Sequence, residues 1–226
     1  MNLLFNINIC MKVAILFSGG KDSAYATHLC LSCGWGVEWL TIQPEEDSMM
    51  FHHPNTKWCE LQSKASGIKL TKVKANNKNE LEQLEKALKK MKVDGIVTGA
   101  VASEYQKQRI EIIGNNLGIP TFNPLWHKNE NFLKQMLEEM EVIIVSVSAE
   151  GLDEKWLGKK FEPEDVNTLL SFRPQINPFF EGGEGETFVS DAPFFKKRIE
   201  IKKWEKSYKG MNGKAIIKGA KLTAKQ

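Results

Sequence analysis

The residues with the clearest chemical potential form one short stretch, here called the glycine loop: Ser18, Gly19, Gly20, Lys21, Asp22 and Ser23. Its two glycines permit backbone conformations closed to other residues, so successive N–H groups can converge on an anion. Its serines offer hydroxyl donors, and its lysine offers a positive charge suited to phosphate oxygens. This combination predicts a phosphate-binding site.

The spacing inside the glycine loop excludes two common phosphate motifs. It fits neither Gly-x-x-x-x-Gly-Lys-Ser/Thr nor Gly-x-Gly-x-x-Gly, which indicates a different nucleotide-binding family. The role of Asp22 stays open, because a carboxylate beside phosphate repels the ligand unless it orients donors or meets Mg²⁺. The alternative is an ordinary tight turn, but such a turn does not require two serines, a lysine and an aspartate.

A second candidate group is the acidic segment, residues 181–186, which places Glu181, Glu184 and Glu186 among three glycines. Three carboxylates on a permissive backbone predict an electronegative turn. From the residues alone, a solvated acidic turn and a cation-facing site both remain open.

A third candidate group follows a short buried strand and comprises Glu104, Tyr105 and Arg109. Helical spacing places Tyr105 and Arg109 one turn apart on the same face. Arg109 could bind phosphate or carboxylate in fork geometry, or it could pair at the surface with Glu104 or Glu111.

Cys30 and Cys33 have the Cys-x-x-Cys spacing that can hold a metal cluster or carry sulfur. In a helix they share a stripe with Ala26 and Leu29, which predicts that they pack against the sheet as small hydrophobic residues. We favour this structural interpretation, because no second pair of cysteines has such a spacing.

Two other places in the sequence carry histidines. His52 and His53, followed by Trp58, lie in a loop that could cover a nucleotide, and His127 lies beside Trp126. We interpret all three histidines as polar loop residues rather than catalytic groups.

The elements that must position these groups alternate between strand and helix. An apolar strand at 12–17 leads through the glycine loop into a helix that ends near Cys33, with Gly34 as its C-terminal glycine. The pattern then predicts a strand at 37–42, a helix at 56–66, a strand at 68–73, a helix at 79–91, a strand at 95–98 and a helix at 103–117. Alternation of this kind predicts a parallel sheet, with ligand-binding loops at the carboxyl ends of its strands.

The regular alternation of predicted strands and helices ends after Pro120. We predict a helix at 132–140, a strand at 142–147, short strands of a smaller mixed sheet at 199–201 and 216–217, and a solvated tail at 214–226. The chain is therefore divided near Leu125 into an α/β nucleotide-binding domain (residues 11–125) and a smaller mixed α+β domain (residues 126–226). Residues 1–10 are expected to be a disordered extension, because Met11 opens the first strand like a natural start.

Composition places the chain among ordinary folded proteins. It has 226 residues, of which 42% are hydrophobic and 26% charged, so disordered, collagen-like and coiled-coil classes are disfavoured. A net charge of +3 does not indicate a dedicated nucleic-acid binder, and no apolar run is long enough to span a bilayer. The four cysteines are too few for a disulfide framework and favour a reducing compartment such as the cytoplasm.

The sequence resembles a known superfamily at the glycine loop. Ser-Gly-Gly-Lys-Asp-Ser is similar to the SGGxDS motif of the PP-loop, or N-type, ATP pyrophosphatases, which cleave ATP between its α and β phosphates. Two further blocks resemble the diphthine ammonia ligases of that superfamily. The first runs over 99–111, 117–119 and 124–126, and the second over 181–189 and 191–193. Two residues depart from the pattern: Phe180 stands in place of its first glycine, and Gly185 in place of an aromatic residue.

The resemblance implies an adenine nucleotide alpha hydrolase-like (HUP-like) fold and an ATP-dependent amide ligase. Its substrate would be the diphthine carboxylate on elongation factor 2 and its nitrogen source ammonium, with an acyl adenylate between them and Mg²⁺ accompanying ATP. A homo-oligomer is left open, and no metal ligands are assigned. The implied ATP-binding residues are Ser18, Gly19, Gly20, Lys21, Asp22, Ser23 and Gly99. The implied catalytic residues are Lys21, Asp22, Arg109, Glu184 and Glu186, and the implied substrate-binding residues are Glu104, Tyr105, Arg109, Glu181, Glu184 and Glu186.

Two alternatives remain at this stage. A tRNA-modifying PP-loop enzyme, of the thiolation or lysidine type, would release AMP only with tRNA and bind it with a strong dependence on salt. A regulatory module that has lost catalysis would bind ATP without turnover.

Overall fold

The computed structural model describes residues 11–44, 55–75 and 79–225. The predicted extension at 1–10 and the histidine pair His52 and His53 lie outside these residues. The first part of the chain alternates as predicted. Its elements are β1 (Lys12–Leu16), α1 (Lys21–Ser32), β2 (Gly36–Pro44), α2 (Cys59–Ser66), β3 (Leu70–Ala75), α3 (Glu80–Met91), β4 (Gly95–Val97), α4 (Glu104–Leu117) and β5 (Thr121–Phe122).

The first five strands form one parallel sheet in the order β3-β2-β1-β4-β5, which confirms the predicted class. Capping residues and apolar spacing in the sequence account for the ends and the buried faces of the helices, as α4 illustrates. In α4, the Ser103 hydroxyl caps the helix by accepting a hydrogen bond from the Gln106 N–H. The same helix buries Ile110 and Ile113 against the sheet and ends at Gly118, which has a φ of +68°.

A second group of elements follows: α5 (Glu130–Glu139), β6 (Glu141–Ser148), α6 (Pro163–Ser171), β7 (Gly185–Asp191), β8 (Arg198–Lys209) and β9 (Asn212–Thr223). Its strands form a sheet in the order β7-β6-β9-β8, and all of the pairings are antiparallel, so the expectation of a mixed sheet is wrong. The predicted tail at 214–226 is also wrong. Most of this stretch forms strand β9, and its apolar residues Ala215 and Ile217 are fully buried.

The two sheets share one apolar core. The same cluster of buried side chains includes Val13 and Ile15 of β1, Val142 of β6 and Ile217 of β9. Leu125, where we predicted the domain boundary, is fully buried inside this shared cluster. The division of the chain near Leu125 stays a prediction, since the core passes through it without interruption.

The parallel sheet has a topological switch point between β1 and β4. The chain continues outward to β2 and β3 on one side and to β5 on the other, so the loops after β1 and β4 lie side by side at the carboxyl edge. Open α/β sheets bind ligands in the crevice at this position. The glycine loop follows β1 directly, and the residues after β4 begin with Thr98 and Gly99.

The described part of the chain contains no helix that is both long enough and apolar enough to cross a membrane.

Candidate functional site

The glycine loop is closed by its own serines. The hydroxyl oxygens of Ser18 and Ser23 lie 3.3 Å apart within hydrogen-bonding distance, and the Gly20 N–H donates to the Ser18 hydroxyl at 3.4 Å. Gly19 has a φ of +85°, a conformation that only glycine adopts easily. Helix α1 begins immediately afterwards, and its N-cap, Gly20, makes no side-chain capping hydrogen bond. The positive end of the helix dipole therefore lies at the glycine loop, a feature that favours phosphate at helix N-termini.

Gly99, after β4, presses against the start of α1. A Cβ atom at this position would lie 2.7 Å from both the Asp22 carbonyl carbon and the Ser23 nitrogen. Because both neighbours are backbone atoms, no side-chain rotation could relieve the contact. Gly99 therefore allows the loops after β1 and β4 to approach each other, and its role toward ATP stays a prediction.

Lys21 is buried and bonded inside the protein, with only 2% of its surface exposed. Its ammonium donates to the Phe179 carbonyl at 2.7 Å and to the Asp22 carboxylate at 2.8 Å. The same nitrogen lies 5.8 Å from the ring centres of both Phe179 and Phe180. Lys21 thus ties the start of α1 to the chain just before the acidic segment, and its role toward phosphate stays a prediction.

Strand β7 also holds the glycine loop. The Thr187 hydroxyl accepts a hydrogen bond from the Lys21 N–H at 3.1 Å, and the Val189 N–H donates to the Gly19 carbonyl at 3.0 Å. Gln62 of α2 bridges the same two segments, because its fully buried side-chain amide donates to the carbonyls of Gly19 and Val189. These contacts join residues far apart in the chain, so no local pattern in the sequence predicts them.

Glu181 is the member of the acidic segment that the structure brings to the glycine loop. One of its carboxylate oxygens accepts a hydrogen bond from the Ala102 N–H at 3.0 Å, so it reaches the loop after β4. Burial raises the pKa of this carboxyl, and the nearby charge of Asp22 raises it further, while Ala102 and Lys21 act in the opposite direction. The site therefore contains a carboxyl group that holds its proton to a higher pH than an ordinary glutamate.

The other two glutamates of the acidic segment have different surroundings. Glu184 accepts a hydrogen bond from the Gly182 N–H at 2.8 Å and so closes the turn on itself. Glu186 lies in β7 opposite Ser146, so the turn ends before it and the expectation of one turn over 181–186 is wrong at that end. Because successive side chains of a strand point to opposite faces, the direction of the Glu186 side chain is set by its position in β7.

The two departures from the family pattern lie next to each other in space. Phe180 has a φ of +62°, the left-handed region that favours the glycine of the pattern. Its buried ring stacks on Phe161 at 5.5 Å between centres, and a Cβ on Gly185 would lie 3.1 Å from that ring. The Phe180 ring therefore lies beside Gly185 and fills space that a side chain at 185 would enter.

The third candidate group lies on α4. Tyr105 is 59% exposed, and the guanidinium of Arg109 lies over its ring at 4.7 Å, which confirms that the two residues share a face. The Lys107 ammonium lies between Glu104 and Glu111, at 3.9 Å and 4.0 Å. The guanidinium of Arg109 stacks on an exposed aromatic ring, and its role toward phosphate or carboxylate stays a prediction.

The cysteines separate into buried and exposed positions. Cys30 is buried in the core, and burial together with nearby Cys33 raises its pKa to about 12. Cys33 is exposed, so its predicted place on the buried stripe is wrong: the helix ends at Ser32 and turns the next residue outward. Among the described residues, no group of three or more His, Cys, Asp or Glu side chains could hold a metal ion. A thiol as basic as Cys30 is a packing residue.

The candidate loop histidine, His127, is exposed. Its backbone N–H donates to the Val101 carbonyl at 2.8 Å, and its ring contacts Trp126 edge-on at 4.8 Å. The backbone of His127 thus fixes the segment before α5 against the loop after β4.

Family models match nearly the whole described chain. One, described as the diphthamide synthase N-terminal domain, matches residues 11–121, and another, the diphthamide synthase C-terminal domain, matches residues 128–223. A diphthine–ammonia ligase of Bos taurus is 34% identical over 221 residues, covering 84% of this chain and 83% of the relative. The Homo sapiens diphthine–ammonia ligase is 32% identical with the same coverage.

Solved structures show weaker similarity. A predicted subunit of tRNA methyltransferase from Methanocaldococcus jannaschii is 17% identical with a TM-score of 0.44, covering 81% of this chain and 98% of that chain. This overlap is too low to carry weight in the assignment. The two family models and the full-length relatives carry it: the chain belongs to the diphthamide synthase family.

Proposed function

We propose that this protein uses ATP to amidate the diphthine carboxylate of elongation factor 2 with ammonia. The observation that carries the proposal is the match of both family models, which together cover the parallel sheet with its glycine loop and the antiparallel sheet with its acidic segment. Curated relatives that align over most of their own length are diphthine–ammonia ligases. The glycine loop at the start of α1, with Glu181 near Asp22, supports the proposal, because the reaction must hold phosphates beside a cationic substrate.

The reaction divides into two displacements. In the first, a carboxylate oxygen of diphthine attacks the α phosphorus of ATP, the bond to the β phosphate breaks, and pyrophosphate leaves. In the second, the ammonia nitrogen attacks the acyl carbon of the adenylate, the carbon–oxygen bond breaks, and AMP leaves. Negative charge grows on the departing phosphates, so stabilisation by fixed donors is the main task of the protein.

The glycine loop performs that task in our proposal. The positive end of the α1 dipole lies at this loop, and the hydrogen bonds of Thr187 and Val189 hold the loop in place before ATP arrives. Such preorganised dipoles avoid the cost of reorienting donors during the reaction. Lys21 and Asp22 are assigned to the phosphates, and Arg109 to the phosphates or the carboxylate.

Ammonium must lose a proton before its nitrogen can attack. A carboxylate at the site would take this proton, and we assign Glu184 or Glu186 to that step. Glu104, Tyr105 and Glu181 would contact the protein substrate. The trimethylammonium group of diphthine is a cation, which suits a site with several carboxylates.

Mg²⁺ is expected to accompany ATP. This ion keeps several water ligands and is held mainly by phosphate oxygens with one or two carboxylates. Asp22 of the glycine loop offers a carboxylate beside the proposed phosphate site and fits such an ion as a single protein ligand, while Glu181 is assigned to the protein substrate. When bound, the ion would neutralise charge on the phosphates. Elongation factor 2 and ammonium are the proposed partners, in the cytoplasm.

The proposal is tested by supplying ATP and ammonium with either diphthine-bearing elongation factor 2 or bulk tRNA. We expect AMP only with the protein substrate, whose mass changes by the replacement of a hydroxyl with an amino group. AMP release that depends on tRNA would indicate the tRNA-modifying alternative, and ATP binding without turnover would indicate a regulatory module.

A matched pair of variants tests the carboxylate that accepts the proton. Glu184→Gln keeps an acceptor for the Gly182 N–H but removes the charge, so we expect a higher ammonium requirement. Glu138→Gln changes an exposed glutamate of α5 and should behave like the wild type. An unchanged ammonium requirement and an unchanged KM for protein substrate in Glu184→Gln would remove Glu184 from the mechanism.

A further inference from the structure

A cavity of about 400 Å³ lies near the glycine loop, between the segments after β4, before α5 and before the acidic segment. Its floor is apolar, because Ile176 and Phe179 are buried. Its rim is polar and exposed, with Lys128, Glu130 and Gln175 at the surface. An apolar floor beneath a charged rim suits a flexible side chain that carries charge and enters from a protein partner.

The walls of this cavity are held in place by hydrogen bonds. On one side, the His127 N–H donates to the Val101 carbonyl at 2.8 Å. On the other side, the Asn177 side chain accepts from the Phe179 N–H at 2.9 Å. The cavity is therefore formed before any substrate enters, which lowers the cost of ordering it on binding.

Glu181 connects the cavity with the glycine loop. It lines the cavity and also interacts electrostatically with Asp22 and Lys21. Phe179 connects them in the same way, since it lines the cavity and its carbonyl accepts a hydrogen bond from Lys21. A ligand in the cavity thus meets an acidic and an aromatic residue at the end nearest the glycine loop.

We infer that this cavity receives the diphthine side chain, with its quaternary ammonium against Glu181 and Phe179 and its stem running to the exposed rim. The inference rests on the proposed function and names the substrate subsite. Diphthine carries its trimethylammonium and its reacting carboxylate on the same carbon. The group that recognises the ammonium must therefore lie beside the place where the carboxylate meets ATP, and Glu181 meets that condition.

The chemistry of a quaternary ammonium supports the same assignment. It has no N–H to donate, so a protein recognises it by negative charge and by the faces of aromatic rings. A cation held against Glu181 would also favour the ionised form of this carboxyl, whose pKa is raised in the structure described here. Substrate and site would then neutralise each other.

The experiment measures AMP formation with diphthine-bearing elongation factor 2 for the wild type, Glu181→Gln, Gln175→Trp and the control Glu138→Gln. Glutamine at 181 keeps an acceptor for the Ala102 N–H and removes only the charge. We expect KM for the protein substrate to rise by about tenfold in Glu181→Gln, the loss of roughly one charge-assisted contact, with KM for ATP little changed. Gln175→Trp should raise KM for the protein substrate by narrowing the rim, with no change in thermal midpoint.

Tetramethylammonium chloride provides an independent probe of the cation site. Against potassium chloride at equal ionic strength, it should inhibit the wild type in competition with protein substrate and inhibit Glu181→Gln less. Equal inhibition by both salts, together with an unchanged KM for protein substrate in Glu181→Gln, would overturn the inference. A rise in KM for ATP alone would also overturn it, because the cavity would then hold the nucleotide. A wild type that does not turn over diphthine would instead overturn the proposed function, and the inference with it.

Discussion

The glycine loop and the acidic segment lie side by side but are built in opposite ways. The glycine loop takes its shape from neighbours in sequence: a strand before it, a helix after it, and two serines whose hydroxyls meet across it. The acidic segment is positioned by distant residues, since Lys21 holds the Phe179 carbonyl across 158 positions and Ala102 holds Glu181 across 79. The turn of the glycine loop is thus encoded locally, while its attachment to β7 and the position of Glu181 depend on tertiary packing.

We expect substitutions in one of the two regions to affect the other. Lys21 belongs to the glycine loop and anchors the chain just before the acidic segment, so it links the two. The hydrogen bonds of Gln62, Thr187 and Val189 extend the same connection along β7. We therefore expect substitutions in the packing of the C-terminal half to impair a site whose motif lies in the first 23 residues.

The largest expected effect is at Phe180, where the acidic segment begins. Phe180→Gly should lower the free energy of unfolding by about 3 kcal/mol, because it empties the space of a buried ring. Gly185→Phe alone should also destabilise, since its Cβ would crowd the Phe180 ring and the Ser146 carbonyl. Together the two changes restore the ring from the other position.

Urea unfolding of both single variants and the double variant forms a mutant cycle. The double variant should be more stable than the sum of the single effects by about 1 kcal/mol or more, because the sites share one space. Additive effects would show that positions 180 and 185 do not share one space.

The next effect tests the packing between the loops after β1 and β4. Gly99→Ala should destabilise by about 2 kcal/mol and reduce AMP formation, because its Cβ collides with the backbone of Asp22 and Ser23. Gly219→Ala is the matched control, since a Cβ there meets its nearest neighbour at an ordinary 3.7 Å. Calorimetry and the AMP assay measure both. Equal behaviour of the two variants would show that the close approach of the loops is unimportant.

A similar or smaller effect is expected for the residue that joins the two regions. Lys21→Met removes the donor to the Phe179 carbonyl and the partner of Asp22, and should cost about 2 kcal/mol of stability. It should also raise KM for the protein substrate, because the acidic segment loses its anchor. Lys64→Met, at an exposed site on α2, is the control. An effect on KM for ATP alone would confine Lys21 to phosphate binding.

The smallest expected effect is a pH dependence at Glu181. The folded state raises the pKa of this carboxyl above its ordinary value of 4.5, so it favours the protonated form. The contribution of Glu181 to stability is therefore full below pH 4.5 and is lost as the pH rises through the raised value. Urea midpoints of the wild type should fall relative to Glu181→Gln over that range. Parallel curves would show that Glu181 is as solvated as an ordinary glutamate.

The sequence predicted what is decided locally. The parallel sheet, helix α4 with its Ser103 cap and the shared face of Tyr105 and Arg109 follow from periodicity and capping, and the structure confirms them. Of strand β9, the sequence predicts only the short run at 216–217 and assigns the remainder to a tail, because the lysines outweigh the apolar residues; pairing with β6 and β8 reveals its full length.

Residues that act across the fold left weaker signals. Gln62 has no feature in the sequence that marks it as a buried bridge between two segments. Lys21 is assigned to phosphate because a lysine suits that role. In the structure its ammonium contacts Phe179, 158 positions away, and the adjacent Asp22. The one local hint is the pair of departures at Phe180 and Gly185, whose proximity becomes visible only in three dimensions.

The central claim is that the glycine loop directs a carboxylate, rather than water, to the α phosphorus. The most direct measurement runs the reaction in ¹⁸O-labelled water with unlabelled diphthine-bearing elongation factor 2, ATP and ammonium, and analyses AMP and pyrophosphate by mass. The account predicts that both products stay unlabelled, because the oxygen gained by AMP comes from the substrate carboxylate. Label in AMP or in pyrophosphate at the rate of amide formation would show attack by water and contradict the account.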